Sequence, residues 1–367
     1  MLGKILCLHQ GSELYGSDRS FLSAVESIST TGAVVNSILP SEGNLAPLLR
    51  DTGSIVEFYP YGVLRKQKLK KPFLYTWEIL RAIYFYIRKF KSYDVVYINT
   101  TVMLSALVAA AFYRFSAKKI YCHIREIPDR KSIAIFKFLL VFSGAKLVFN
   151  SEATKKSFKL SGKVVYNGVE ELNFNFAEQK KTSVKNILLI GRINTWKGQS
   201  LLIDALEKLS EKSDFSFNAR IVGSPFEGYE YLEAELARRV KGNSVLEEKV
   251  QFYSFCADPT EHYAWADYVL VPSIKPEPFG RVAIEAFSAG KPVVVAAHGG
   301  LIEIVTDRHD GYLFQPGSVD SLCNALLGLS EPDSEQYRHL SRMAKLTYLE
   351  RFSMKSYKEN ILVALGV

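Results

Sequence analysis

The sequence predicts an α/β protein made of two doubly wound units, each with a mainly parallel sheet covered by helices on both faces. Three observations indicate this fold class. The chain has 367 residues, enough for two or three domains of roughly 100–200 residues each. Short β-rich runs alternate with stretches of helical periodicity, which is typical of parallel sheets. The alternation stops in a polar stretch after Gly168 and restarts near Asn186, so we expect a domain boundary there.

In residues 1–168 the predicted strands are short runs rich in β-branched and aromatic side chains. They are KILCLH (4–9), VVNSIL (34–39), SIVEF (54–58), DVVYIN (94–99), KIYCHI (119–124) and KLVFN (146–150). Helical periodicity fills most of the intervals, at 18–30, 73–91, 102–115 and 131–142. We interpret the polar stretch at 169–185 as a linker.

The pattern of strand and helix repeats in residues 186–367. The predicted strands are NILLIGR (186–192), FNARIVG (217–223), KVQFYSF (249–255), DYVLVPS (267–273) and KPVVVAA (291–297). The predicted helices are 198–210, 229–241, 280–289, 318–329, 334–349 and 353–365. The last of these is a candidate to pack back on the first domain.

The composition is that of a globular chain, with 48% hydrophobic and 23% charged residues, and this excludes wholesale disorder and collagen-like repeats. The four cysteines stand far apart, with no CxxC pair or Cys/His cluster. We therefore expect no disulfide framework, no structural zinc and a reducing compartment. The apolar runs are too short for a signal peptide or a membrane span, so we predict neither.

The charge is divided unevenly between the two halves. Residues 1–165 carry 24 Lys and Arg against 11 Asp and Glu, whereas the rest of the chain carries 22 against 27. Within the basic half, residues 65–91 hold nine basic residues and one acid, Glu78, around a patch of aromatic and aliphatic residues. That composition suits a segment resting on an anionic membrane surface. The alternative is an ordinary helix whose apolar face packs on the sheet. No nucleic-acid-binding module is recognisable.

One candidate site lies between Pro272 and Gly300, where a Pro-rich loop follows a predicted strand and leads into a helix. Glu277 lies in the loop and Glu285 in the helix. The first-turn amides of Phe279, Gly280 and Arg281 have no partners within the helix, so they can donate to hydroxyls or anions. Two carboxylates beside such a helix start can accept hydrogen bonds from a polyhydroxylated ligand. Alternatively, both are solvated surface residues.

Three further segments end predicted strands with residues suited to a phosphate or sugar. GRINTWKG places Arg192 and Lys197 between a strand and a helix, where two cations and the helix dipole favour a diphosphate. The loop HQGSELYGSDRS places Gly16 where a backbone could approach a phosphate closely. His123 ends the strand KIYCHI, and could point into a site or be a hydrogen-bonded structural histidine. No D-x-D motif or carboxylate/His cluster argues for a divalent metal.

Together and in this order, these segments resemble the retaining glycosyltransferases of family 4, which have the GT-B fold of two Rossmann-like domains facing a cleft. The resemblance covers nearly the whole chain and is strongest from Ile187 to Phe314. It rests on GRINTWKG, on the Glu277/Glu285 pair within PEPFGRVAIEAFSAGKPVV, on HGGLIEIV from His298 and on YNGV at 166–169. It implies an acceptor-binding domain at 1–168, a linker at 169–185 and a nucleotide-sugar-binding domain at 186–367.

The resemblance also implies roles for the candidate residues. Arg192, Lys197 and the Gly16 loop would bind the donor diphosphate, and Glu277 would bind the sugar with the amides of Phe279, Gly280 and Arg281. Glu285 would bind the ribose, with Ser254 and Phe255 near the nucleobase. His123 would contact the donor sugar from the other domain, so Glu277 and His123 are the expected catalytic residues.

The implied activity is transfer of a hexose-type sugar from a nucleotide-diphosphate sugar, with retention of anomeric configuration and without a metal. The acceptor would be a glycan or a polyprenyl-diphosphate-linked glycan in bacterial cell-surface polysaccharide synthesis, such as that of lipopolysaccharide. The residues leave two alternatives: a nucleotide-sugar epimerase or hydrolase on the same fold, and a non-catalytic sugar-nucleotide-binding protein. We expect a cytoplasmic protein peripherally bound to the inner face of the cell membrane.

Overall fold

The computed structural model describes residues 3–64, 72–172, 183–212, 215–225 and 228–367. They form two compact units: Met1–Gly168 together with Met354–Val367, and Val169–Ser353. Each unit contains one sheet in which all strand pairs are parallel. The predicted fold class, α/β with two doubly wound parallel-sheet domains, is confirmed.

The sheet of the first unit has seven strands: β1 (Lys4–Leu8), β2 (Val34–Leu39), β3 (Ile55–Phe58), β4 (Val95–Asn99), β5 (Lys119–Ile124), β6 (Lys146–Phe149) and β7 (Lys163–Val164). Their order across the sheet is β3-β2-β1-β4-β5-β6-β7. The central strand β4 is buried at every position, as expected for a strand covered on both faces. The strand order reverses between β1 and β4.

Helices cover both faces of this sheet. Those before the unit boundary are α1 (Gly16–Ser29), α2 (Leu45–Asp51), α3 (Pro72–Phe90), α4 (Leu104–Ala111), α5 (Arg130–Ser143) and α6 (Glu152–Phe158). Helices α3, α4 and α5 lie side by side on one face and share a core with alternate residues of the strands, such as Leu6 and Ile98. Helices α1 and α2 pack against the other face, where Cys7 and Tyr97 point.

The sheet of the second unit has six strands: β8 (Lys185–Ile190), β9 (Phe217–Val222), β10 (Val250–Tyr253), β11 (Tyr268–Val271), β12 (Val293–Ala296) and β13 (Gly311–Phe314). Their order is β10-β9-β8-β11-β12-β13, so the reversal falls between β8 and β11. The sequence analysis did not identify β13, whose four residues follow Asp310 without a long apolar run.

The helices of the second unit are α7 (Gln199–Lys212), α8 (Glu230–Lys241), α9 (Ser244–Lys249), α10 (Thr260–Trp265), α11 (Arg281–Ser288), α12 (Leu301–Ile304), α13 (Val319–Leu327) and α14 (Glu335–Thr347). A π-helical turn, Tyr348–Phe352, follows α14. Helices α7, α8, α9 and α13 share one core with the sheet. Helix α11 packs against β11 and β12 outside that core.

The last helix, α15 (Met354–Leu365), belongs to the first unit. Its buried face, including Tyr357, Ile361 and Leu365, shares a core with Phe21 of α1. The domain predicted at 186–367 thus corresponds to a unit that begins at Val169 and ends at Ser353. At that boundary, Val169 forms a parallel bridge with Ser353, and its carbonyl accepts from the Tyr348 hydroxyl at 3.1 Å.

Two predicted segments fall partly outside the described residues. Residues 65–71 of the basic, aromatic segment 65–91 are among those not described, as are residues 173–182 of the linker 169–185. The remainder of segment 65–91 forms α3 and the turn after it. In the described part of the chain, no helix is both long and apolar enough to cross a bilayer.

Candidate functional site

Strand order locates the candidate site of the second unit. Strands β8 and β11 are neighbours, paired through Tyr268 with Ile187 and Val269 with Leu188. Helix α7 after β8 and helix α11 after β11 pack on different cores. In open parallel sheets, ligands bind where the strand order reverses, at the carboxyl ends of the strands. Lys197 lies in the loop after β8, and Glu277 lies in the loop after β11.

The two loops approach each other closely through their backbones. The amide of Ile274 donates to the carbonyl of Trp196 at 2.7 Å. Gly198 has a φ of 85°, and a Cβ at this position would lie 2.1 Å from the carbonyl oxygen of Pro272. Only glycine fits such a conformation at such a distance. The glycine that ends GRINTWKG is therefore required by contact between the two loops.

Lys197 and Glu277 form an ion pair across the reversal point. The ammonium of Lys197 donates to Oε1 of Glu277 at 2.6 Å, and the Ser273 hydroxyl donates to the same oxygen at 2.5 Å. The side-chain oxygen of Asn194 accepts from the amides of Trp196 and Lys197, at 3.0 and 2.8 Å. This Asx turn fixes the backbone that carries the lysine. Two predicted site residues, 80 positions apart, are thus in direct contact.

The Glu277 carboxylate keeps capacity for a ligand. Glu277 is 5% exposed, and burying a charge is unfavourable unless donors compensate it. Lys197 and Ser273 provide that compensation at Oε1, and among the described residues no donor reaches Oε2. A carboxylate oxygen with an unused lone pair can accept from a hydroxyl group. The adjacent ammonium, 23% exposed, supplies positive charge for an anionic group.

The segment after β12, which begins HGG, contacts the backbone of the loop that carries Glu277. Gly299 has a φ of 60°, and a Cβ there would lie 2.3 Å from the carbonyl oxygen of Glu277. The amide of Gly300 donates to that same oxygen at 2.8 Å. Nε2 of His298 lies 2.7 Å from the carbonyl oxygen of Ser273. Since a carbonyl only accepts, Nε2 of His298 carries the proton, and burial lowers the pKa of this imidazole.

Helix α11 begins beside Glu277 with a glycine in the left-handed region. Gly280 has a φ of 110°, and a Cβ there would lie 2.5 Å from Cδ2 of Leu301. The side chain of Phe279 is buried, with its ring 6.0 Å from that of Phe352 in an edge-on arrangement. The predicted sugar-binding contribution of Phe279 and Gly280 would therefore come from their backbones. Arg281 is the first residue of the helix, and its guanidinium pairs with Glu285 at 2.8 Å.

Both carboxylate oxygens of Glu285 have protein partners. Oε1 accepts from Nε of Arg281, and Oε2 accepts from the hydroxyl of Tyr263 at 2.9 Å. Glu285 lies one helical turn after Arg281, on the same side of α11. Each oxygen retains a second lone pair, so the predicted contact with ribose hydroxyls is compatible with this pairing.

The other residues of this unit that were predicted to bind the nucleotide sugar lie at the same edge of the sheet. Arg192 follows β8 and is partly exposed, and its carbonyl accepts from Nε2 of Gln199 at 3.1 Å. Ser254 and Phe255 follow β10 and are exposed, with the Phe255 amide bonded to the hydroxyl of Ser224 at 3.0 Å. Strand β10 is two strands from β8, or about 10 Å across the sheet. That separation suits the two ends of a nucleotide diphosphate.

In the first unit, His123 is the next-to-last residue of β5 and is fully buried. Its Nδ1 accepts from the Arg125 guanidinium at 3.2 Å and lies 2.8 Å from the Tyr97 hydroxyl. A neutral imidazole that accepts at Nδ1 carries its proton on Nε2. This N–H has no acceptor among the described residues. Burial and the nearby Arg125 hold the pKa of His123 well below its ordinary value, so the group is a neutral donor at pH 7.

Gly16 is the first residue of α1, two residues earlier than the helix start expected from the sequence. The loop before it is held by a buried pair, Nε2 of His9 and Oδ1 of Asp18, at 2.7 Å. A Cβ at Gly11 would lie 2.3 Å from the same Asp18 oxygen. Nδ1 of His9 lies 2.8 Å from Nδ2 of Asn99. This network positions the loop that leads to Gly16.

The sequence analysis assigned no role to Ser273, His298, His9, Asp18 or Asn99. A signal existed for His298, because HGG directly follows a predicted strand. Nothing local distinguishes Asp18 or Asn99, whose partners come from other strands. In the described part of the chain, no group of three or more His, Cys, Asp or Glu side chains is arranged to hold a metal ion.

Comparison with known proteins shows what the second unit is similar to. Residues 171–347, nearly all of the second unit, match the family model described as glycosyl transferases group 1. An uncharacterised glycosyltransferase of Methanocaldococcus jannaschii is 31% identical over 216 residues, which is 53% of each protein. Mannosylfructose-phosphate synthase of Agrobacterium fabrum is 37% identical over 165 residues, 43% of this chain and 35% of that enzyme. The chain thus spans about half the length, or less, of these curated relatives.

Similarity among solved structures extends over the whole chain. The structure of Anabaena HepE in complex with UDP-glucose has a TM-score of 0.80 and 25% sequence identity. The match covers 99% of both chains. The first unit therefore also has a counterpart of known structure, although the family model matches only the second.

Proposed function

We propose that the chain is a retaining glycosyltransferase with a nucleotide-diphosphate sugar as donor, and the match of residues 171–347 to the family model described as glycosyl transferases group 1 supports this. The proposal is that it transfers a hexose-type sugar to a glycan or lipid-linked glycan in cell-surface polysaccharide synthesis. HepE was solved with UDP-glucose, which makes that compound the first donor to test.

The observation that carries the proposal is the Lys197–Glu277 pair at the reversal of strand order. A diphosphate needs positive charge, and a sugar needs hydroxyl acceptors held nearby. Lys197 offers the first and Oε2 of Glu277 the second, within one hydrogen-bonded group. The start of α11 is next to both, and helix amides there stabilise anions.

In this proposal each residue has a defined contact. Arg192 and Lys197 neutralise the diphosphate, Glu277 and the backbone of 279–281 bind the sugar, and Glu285 binds the ribose. Ser254 and Phe255 contact the base. The Nε2–H of His123 donates a hydrogen bond to the sugar of the nucleotide sugar, and the Gly16 loop approaches the phosphates.

The acceptor hydroxyl attacks the anomeric carbon from the face that the diphosphate leaves, and a phosphate oxygen of the nucleotide sugar takes its proton. The enzyme contributes positioning and electrostatic stabilisation.

We also propose that the reaction needs no metal, which an assay in excess chelator tests directly. Loss of transfer in chelator, restored by Mg²⁺ or Mn²⁺, would contradict this.

We also propose that the protein works at the inner face of the cell membrane, bound peripherally through residues 65–91.

The first experiment incubates the full chain with a panel of nucleotide sugars and follows its melting temperature. A donor that binds the folded protein raises that temperature by mass action. Transfer from the stabilising donor to a lipid-linked glycan acceptor is then measured as the amount of nucleoside diphosphate released. The coupling constants of the product's anomeric proton establish whether configuration is retained. Inversion would contradict the proposed mechanism.

Glu277→Gln tests the residue that carries the proposal. The amide keeps the size of the side chain but loses the charge that faces Lys197 and one acceptor. We expect kcat/KM to fall by about a hundredfold or more, while the melting temperature of the free protein changes little. Glu235→Gln, at an exposed position of α8, is the matched control and should leave activity unchanged.

Two other outcomes would favour the alternative functions. Consumption of the nucleotide sugar without an acceptor would indicate a hydrolase or epimerase on the same fold. Donor binding without turnover, together with full biological activity of the Glu277→Gln variant, would indicate a non-catalytic binding protein.

A further inference from the structure

Three helices of the first unit form a layer whose outer face is unusually apolar. Helices α3, α4 and α5 lie side by side over one face of the sheet. Their inner residues, such as Tyr86 and Leu140, belong to the core. We call the opposite side of this layer, with the turn after α4, the α3–α5 surface. Large hydrophobic side chains are exposed on it: Phe73, Leu74, Trp77, Leu80 and Tyr84 of α3, Phe112 and Phe115 after α4, and Ile135, Phe138, Val141 and Phe142 of α5.

Helix α5 is the clearest part of this surface because it is apolar on both sides. Phe136, Leu139 and Leu140 are buried against the sheet, as expected for a surface helix. On the other side, Phe138 is 66% exposed, and its ring stacks on that of Phe142 with centroids 6.0 Å apart. A helix that is hydrophobic all round is ordinarily covered on all sides.

The residues around these side chains are basic. From Lys131 to Lys146 the sequence contains three lysines and no acid. The turn that carries Phe115, 97% exposed, also carries Arg114 and Lys118. On α3, the guanidiniums of Arg81 and Arg88 line a groove with Tyr84. Each lies over an aromatic ring, at 5.4 and 5.8 Å from the ring centroid.

This combination distinguishes a lipid surface from a protein partner. Protein–protein interfaces are depleted in lysine at their core. Segments that lie in the membrane interface combine Trp, Phe and Leu with Lys and Arg, and aromatic rings with polar edges are favoured at that depth. The α3–α5 surface has Trp77 and several phenylalanines interspersed with Arg114, Lys131 and Lys137.

We propose that the α3–α5 surface docks on an anionic lipid bilayer, with α5 and the Phe112–Phe115 turn as contacts in addition to α3. This inference rests on the peripheral membrane binding in the proposed function and extends it to helices outside that segment. Phe138, Phe142 and Phe115 enter the boundary between headgroups and acyl chains. The groove at Arg81 and Arg88 receives the phosphate of an anionic headgroup.

The test is co-sedimentation of the full chain with phosphatidylcholine vesicles, with and without phosphatidylglycerol. The test variant is Ile135→Gln/Phe138→Gln/Phe142→Gln, in which glutamine preserves helix propensity at three exposed positions. The matched control is Ile302→Gln/Leu327→Gln/Val363→Gln, which replaces three exposed apolar residues on α12, α13 and α15. Melting curves of the free proteins verify that both variants are folded.

We expect the natural chain and the control to bind vesicles containing phosphatidylglycerol. The test variant should partition at least about tenfold more weakly, because binding scales with the apolar area buried in the interface. Equal binding by the test variant and the natural chain would overturn the proposal. So would binding that is independent of the phosphatidylglycerol content, or the absence of any binding to vesicles. Self-association of the natural chain that the test variant abolishes would assign the surface to a second copy instead.

Donor binding separates this inference from the proposed function. The substituted positions lie in the first unit, outside the residues proposed to contact the donor. The test variant should therefore show the same donor-induced rise in melting temperature as the natural chain. If no nucleotide sugar stabilises any of the proteins, the proposed function fails, while the vesicle result still decides the membrane surface.

Discussion

At the scale of single residues, Glu277 and His123 have opposite electrostatic environments. Glu277 accepts at one carboxylate oxygen from two donors, the ammonium of Lys197 and the hydroxyl of Ser273. His123 is fully buried with a guanidinium at 3.2 Å, and in the described part of the chain no carboxylate is bonded to its ring. A charged imidazole is unfavourable there, so His123 can serve as a hydrogen-bond donor but not as a cation.

The buried histidines predict acid sensitivity. Burial lowers the pKa of His9 and lowers that of His123 well below 6.5. Below pH 6.5 the unfolded chain takes up protons that the folded chain does not, so the free energy of unfolding falls as the pH decreases. The histidine contribution is complete above pH 6.5 and is lost below it. Each such group contributes up to about 1.4 kcal/mol per pH unit.

His123→Gln isolates one of these groups. Urea unfolding at pH 7.5 and 5.5 should show a stability difference between natural chain and variant that shrinks at the lower pH, by about 1 kcal/mol. His339→Gln, at an exposed position, controls for the loss of an imidazole from the surface. A difference that is independent of pH would mean that His123 titrates alike in the folded and unfolded chain.

At the scale of elements, the site depends on how closely two loops approach. Sequence periodicity predicted β8, β11 and the helices that follow them, because the strands are runs of apolar residues and the helices have a regular apolar face. The loops themselves have no periodicity. Gly198 and Gly299 are needed at their positions because each lies against the backbone of another segment. Apart from the glycine itself, the neighbouring sequence does not predict such a contact.

Gly198→Ala tests this approach. Its Cβ would lie 2.1 Å from the Pro272 carbonyl oxygen, so the loops must separate and displace Lys197 from Glu277. We expect a loss of roughly 3 kcal/mol or more in the free energy of unfolding and loss of donor binding in the thermal-shift assay.

Gly317→Ala is the control for backbone strain alone. Gly317 has a φ of 70°, and nothing lies within 4 Å of a Cβ built there. This substitution should reduce stability by only about 1 kcal/mol and leave donor binding intact. Equal effects of the two substitutions would show that left-handed backbone strain, and not contact with Pro272, accounts for the requirement at Gly198.

At the scale of the whole molecule, the chain returns to its first unit at the end. Helix α15 places Ile361 and Leu365 in a core with α1. A final helix with an apolar face could be predicted from the sequence, but its periodicity is the same whichever core it joins. The membership of α15 follows from its position against α1 and from the end of the second unit at Ser353.

Ile361→Ala tests this assignment. Truncation of a fully buried isoleucine leaves a cavity and should destabilise the first unit by about 2–5 kcal/mol. Hydrogen exchange should show faster opening of α1 and β1 than of α7 and β9. Val363→Ala, at a side chain 71% exposed, should change stability by less than about 0.5 kcal/mol. Faster exchange confined to the second unit would contradict the placement of α15.

The fold class, most strands, the long helices and the identity of Lys197, Glu277 and Glu285 as candidate residues follow from the sequence alone. Periodicity and strand–loop–helix order are local properties, readable within a few residues. The tertiary structure alone established that Lys197 bonds to Glu277 and that His298 bonds to Ser273. It also showed that His123 is buried with an N–H that no acceptor among the described residues reaches. These contacts depend on which strands become neighbours, and strand order is decided by the packing of crossover helices on both faces of the sheet, which no local pattern encodes.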